Sequence, residues 1–155
     1  MRGLAFLLLA LVSAPAAAQT PNLKVNFVVT PAAASQLTSA GVSGIARVST
    51  EMSNLNTAYS NSGISATAST VGYSTSDSNL GISSSTPLPD AVSIAANSLI
   101  VKAARDNDGA DVTVVIISAN ASRAAQINSS AWYSVVVVSA QQLMNDLAPG
   151  KRIPC

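Results

Sequence analysis

Chemistry in this chain must be sought among Ser, Thr, Asn, Asp and Lys, because its 155 residues include no histidine and a single cysteine, Cys155. Without imidazole there is no Ser-His or Cys-His pair to activate a nucleophile, nor the neutral nitrogen donors of most catalytic zinc sites. A serine–lysine pair has Lys24, Lys102 and Lys151 to draw on, yet no S-x-x-K motif occurs. Asp106, Asp108 and Asp111 (DNDGAD) resemble a calcium loop superficially. An EF-hand loop spreads its ligands over about twelve residues and closes with a Glu that is missing here, so a helix end followed by a turn is expected instead. Gly41 and Gly44 lack the Lys-Ser/Thr ending of a phosphate loop and suit a flexible helix start. Trp132-Tyr133 opens a valine-rich run, where packing is expected rather than ligand stacking. Asn120-Ala121-Ser122 and Asn128-Ser129-Ser130 match the glycosylation sequon and, in an Asn/Ser-rich chain, read as polar loop. No catalytic, metal-ligating or cofactor-binding residue is assigned.

The elements that would position any site begin after an address. Arg2, the apolar run 4–12 and the small residues Ala16-Ala17-Ala18 come in the order of a secretory signal peptide, residues 1–18, with a mature start at Gln19. The apolar run is too short to span a bilayer, and no later stretch reaches the roughly 18 apolar residues that a membrane helix needs. Without Arg2 the eight basic residues become seven, equal to the seven acidic ones. Near-zero charge with few aromatics excludes a nucleic-acid surface, which would show clustered Lys/Arg and stacking rings. The composition fits an exported bacterial protein, secreted or periplasmic, with no internal disulfide. Residues 19–155 are expected to form one domain with a real core.

Residues 24–30 (KVNFVVT) form a β-rich run closed by Pro31, and 32–40 is a small-residue connection able to begin a helix. Val42, Ile45, Val48, Met52, Leu55 and Tyr59 then recur at helical spacing, with Asn61-Ser62-Gly63 as the stop. A second strand is expected over 64–73, its alternation slipping at Thr70-Val71 into a bulge near Gly72. Asp90 is a candidate N-cap for a second helix. Its apolar face is Val92, Ala95, Ala96, Leu99, Ile100 and Ala103, and it ends at Asn107-Asp108-Gly109. Residues 112–117 (VTVVII) and 132–139 (WYSVVVVS) read as buried strands, with 118–130 polar and irregular between them. Residues 140–148 start a third helix that Pro149-Gly150 would break. The fold class is therefore α/β, with a mixed, mostly parallel sheet of four or five strands and two main helices.

Three segments in this order resemble the front of reprolysin-like and peptidyl-Asp-type zinc metalloendopeptidases, members of the metzincins: VVTPAA at 28–33, MSNLNTAYSNSGI at 52–64 and AARDNDGADVTVVI at 103–116. The resemblance covers most of residues 24–118 and implies the N-terminal subdomain of a zincin-like fold. It also implies an edge strand, here at residues 122–127 (SRAAQI) without the family's Cys-Gly, that pairs with extended peptide by β-augmentation. A zinc-bearing H-E-x-x-H helix would come next, with two imidazoles on one helix face and a Glu beside the open ligand position. Aligned after Leu147-Ala148, those places hold Pro149, Gly150 and Ile153, none of which can ligate zinc or move a proton.

The expectation is an exported metalloendopeptidase-like chain, truncated or degenerate, without zinc-dependent peptidase activity as it stands. The alternative is a non-catalytic secreted binding module on the same scaffold. An adhesion-type doubly wound domain that binds Mg²⁺ is disfavoured, because its D-x-S-x-S cluster is absent where the first strand meets Thr30-Pro31.

Overall fold

A computed structural model describes residues 20–118, 126–128 and 134–145. Among these residues five strands make one sheet: β1 (Asn22–Val29), β2 (Thr67–Thr75), β3 (Val112–Ile117), β4 (Gln126–Asn128) and β5 (Ser134–Ser139). Their order is β2-β1-β3-β5-β4. The first four positions are parallel, and β4 runs antiparallel to β5. This is the mixed, mostly parallel α/β architecture expected, with the edge strand β4 overlapping the end of the segment 122–127 that the metalloendopeptidase resemblance marks.

The helices are α1 (Pro31–Ser39), α2 (Gly44–Asn61), α3 (Leu88–Asn97), α4 (Leu99–Asp108) and α5 (Ala140–Asn145). The small-residue connection is a full helix because alanine costs little to fix, Pro31 is pre-set for the first turn, and Ala33 and Leu37 sit one turn apart and are buried. Helix α2 starts where Ser43 accepts a bond from Ala46 N (3.4 Å), and the chain leaves it through Gly63 at φ +67°.

The second expected helix is split. Ser98 takes an extended ψ of 127° and its hydroxyl accepts from Val101 N, so one helix stops and another starts. The restart turns the apolar face: Val101 is buried, while Leu99 is 81% and Ile100 41% exposed, against the expectation that both face the core. Ile45 is also turned to solvent. Asp90 is not the cap of α3. It lies in the first turn, where its charge favours the helix N-terminus. Strand β2 begins three residues later than expected, because residues 64–66 are taken up by turn bonds from Ile64 N to Tyr59 O and from Ala66 N to Ile64 O. The register against β1 skips Val71, next to Gly72, which places the bulge as read from the sequence.

Alternation along the strands gives the sheet two unequal faces. Val115, Ile117, Val135 and Val137 are sealed beneath α3 and Val101 of α4. The opposite face carries Val25, Phe27, Val29 and Ile116 under α1, α2 and α5, but Val114 and Val138 there are only half-buried. Several expectations lie outside the described residues. They are the signal segment 1–18, Asn120-Ala121-Ser122, Trp132-Tyr133, Lys151, Cys155 and the aligned positions Leu147, Ala148, Pro149, Gly150 and Ile153.

Candidate functional site

In open α/β sheets a ligand is usually met at the carboxyl ends of the strands, where the strand order reverses. Here that point lies between β1 and β3, and the chain fills it with its own groups. Thr30 N and Thr30 Oγ1 both donate to Ile116 O, at 3.0 and 3.2 Å. Ala32 N, at the first turn of α1, donates to Asn79 Oδ1 (3.0 Å), which occupies the place an anion would take at a helix N-terminus. Ser76 N closes the same end by donating to Val29 O (2.9 Å).

Two grooves remain. The first is apolar, about 250 Å³, and lies over β1, β3 and β5 between α2 and α5. Phe27, Val114, Val136 and Val138 form its floor, and Glu51 and Gln142 stand at its edge. Glu51 is paired with the buried Arg47 one turn earlier on α2, so the rim charge is partly compensated. This floor is the incompletely covered side of the sheet, and β5 runs from it straight into α5. The second groove, about 630 Å³, runs between α2 and the free edge of β2 and is lined by Ser, Thr and Asn with Met52 and Ala68 at its base.

The aspartates of DNDGAD do not converge. Asp106 pairs with Arg105. Asp108 accepts from Asn26 Nδ2 (3.2 Å) and closes over Gly72, where an added Cβ would lie 1.8 Å from its Oδ2. Asp111 accepts from Lys24 N (2.8 Å), and its own amide donates to Lys24 O (2.8 Å). The segment is a helix end and turn that clamps α4 and β3 to β1, and Gly109 in the left-handed region supplies the C-cap. Among the described residues no group of three His, Cys, Asp or Glu could hold a metal ion. With no histidine in the chain, the donor set does not fit the zinc that the resemblance implies.

Of the other sequence candidates, Lys24 lies on β1 and Lys102 on α4, and Gly44 opens α2 against the Tyr73 hydroxyl rather than cradling an anion. Burial pushes the Tyr73 hydroxyl above the ordinary value of 10.0 by desolvation. Sequence reasoning passed over Asn26, Asn56 and Asn79, whose carboxamides do much of the positioning. Asn26 carried a signal, being a polar residue inside the apolar run VNFVV. Asn56 and Asn79 carried none, because each acts on backbone that only the fold brings near.

No family model matches the chain, and no curated protein matches it. A solved structure described as "Structure of a chaperone-substrate complex" is similar in fold, with a TM-score of 0.63 at 20% identity. The match covers 77% of this chain and 21% of that one, so this chain spans about a fifth of its length. At that identity the likeness bears on fold alone, and the fold it supports is the α/β sheet described above.

Proposed function

We propose that this chain is an exported, metalloendopeptidase-like scaffold without zinc-dependent peptidase activity of its own. The observation that carries the reading lies at the end of the last parallel strand. Strand β5, which the resemblance matches to the strand leading to the metal-bearing helix, passes directly into α5, and the chain has no histidine with which any helix could hold zinc. The three ordered sequence segments support the same lineage, as does an antiparallel edge strand beside β5. No water-activating step is assigned to any residue. These residues offer surface instead: the valine-floored groove between α2 and α5, and the outer side of β4 for an extended peptide. Export rests on the signal-like residues 1–18.

The test is elemental analysis of the purified chain together with cleavage of an unfolded protein substrate with and without a zinc chelator. The expected result is sub-stoichiometric zinc and no chelator-sensitive cleavage. One zinc per chain with cleavage abolished by chelation overturns the proposal.

The half-covered valines favour a second reading, a non-catalytic binding module that is stable without metal. It expects one cooperative, metal-independent thermal transition. Aggregation with dye bound to apolar surface before any such transition would count against it.

A further inference from the structure

Strand β2 is an edge, and its outward backbone is legible from its bonds. Thr67 N donates inward to Pro21 O, so by alternation Ala68 and Thr70 turn away from β1. Beyond the bulge, Ser76 N donates inward to Val29 O, which turns Tyr73 and Thr75 outward. Among the described residues no strand pairs with that side. The strand TASTVGYST spans nine residues without a charge or a proline, so it lacks the usual guards of an exposed edge.

One side chain stands in for them. From α2, Asn56 Oδ1 accepts from Ala68 N (2.7 Å) and Asn56 Nδ2 donates to Ala68 O (2.9 Å). A carboxamide is the polar unit of a peptide backbone, and this one makes the two bonds that a neighbouring strand would make. Beyond it the groove stays open along Thr70.

We propose that the outer edge of β2 is a strand-pairing surface for a second copy of this chain, held shut by Asn56. The occupant is a second copy because the edge is self-compatible. A two-fold antiparallel pairing of β2 with β2 sets uncharged Ser and Thr residues against one another with no like-charge repulsion. It would join two five-stranded sheets into one. Asn56 prevents this by occupying Ala68, in the stretch of edge that precedes the bulge.

The experiment compares the full chain with Asn56→Ala by sedimentation velocity and amide hydrogen exchange. The wild type should sediment as a monomer, with the Ala68 amide protected and the Thr70 amide exchanging freely. Asn56→Ala should dimerise at least about tenfold more tightly, the scale set by freeing two backbone groups, and should gain protection at Thr70. Asn56→Ser, too short to reach both Ala68 groups, is run beside it in case the alanine variant fails to fold. Adding Thr70→Lys, at an exposed edge position, should restore the monomer. A folded, monomeric Asn56→Ala or Asn56→Ser protein overturns the proposal. So does a dimer that survives Thr70→Lys, or a wild type already paired through β2.

Discussion

Replacing Gly72 by alanine should destabilise the fold through a residue that is distant in sequence. Gly72 has no positive φ, so the backbone would accept alanine, and what is lacking is space. The new Cβ would lie 1.8 Å from Asp108 Oδ2 and 2.5 Å from its Cγ, far inside contact distance. The Asp108 carboxylate must swing away and give up the bond from Asn26 Nδ2. Asn26 is 1% exposed, and its Oδ1 already has no protein partner, so its whole amide would be left unpaired in the interior. An unsatisfied buried donor costs about 1–3 kcal/mol. The stiffer alanine returns roughly 0.5–1 kcal/mol through the unfolded state. The expected net loss is about 1–2 kcal/mol, a fall in melting temperature of roughly 3–10 °C for a domain of this size. The assay is a double-mutant cycle by urea unfolding with Asp108→Ala. Once Asp108 is gone, Gly72→Ala should cost nothing or stabilise slightly, a coupling of about 1–3 kcal/mol. Equal cost for Gly72→Ala in both backgrounds would refute the reasoning.

Other expectations are as direct. Gly44→Ala would put a Cβ 2.1 Å from the Tyr73 hydroxyl and push that ring outward, so the phenol should titrate nearer its ordinary 10.0, as read by ultraviolet difference absorbance. In the wild type, the raised Tyr73 value means the fold prefers the protonated phenol. That contribution is intact below about pH 10 and lost as pH rises through the folded value, which should appear as alkaline loss of melting temperature that Tyr73→Phe reduces. Gly109→Ala should cost about 1 kcal/mol, because alanine resists the φ of +60° that ends α4. Val101→Ala should cost roughly 1.5–3 kcal/mol, while Leu99→Ala at 81% exposure should stay within about 0.5 kcal/mol, and denaturant midpoints separate the two.

The elements with strong local signals were legible. Residues 112–117 read as a buried strand from continuous β-branched apolar residues, and the strand has those bounds. The α2 stop at Asn61 and the α4 stop before Gly109 were readable because glycine alone enters the left-handed region cheaply. The break at Ser98 was not, since Leu99, Ile100 and Ala103 continue the helical period across it and the serine's hydroxyl decides the matter only once Val101 is anchored under the sheet. The polar contacts of the candidate sites were the least legible part. Asn56 reaches Ala68 from twelve residues away, Asn79 reaches Ala32 across 47, and Asn26 meets Asp108 across 82. Composition announces abundant Asn and Ser, but which of them meets a backbone group depends on chain paths that no local window contains.

The interior place of β1, between β2 and β3, also sets an order of assembly. Its partner on one side begins 45 residues downstream, where Thr67 bonds Asn22, and its partner on the other begins 87 residues downstream, where Asp111 receives the Lys24 amide. Closure of the shorter loop costs less entropy, so the β1–α2–β2 unit can condense while the third strand is still being synthesised. Until residues 112–117 arrive, the other side of β1 is an uncovered strand edge beside Phe27 and Val29. For a chain emerging from its N-terminus, that interval is when it is most exposed to mispairing, and therefore when a holding factor would matter most.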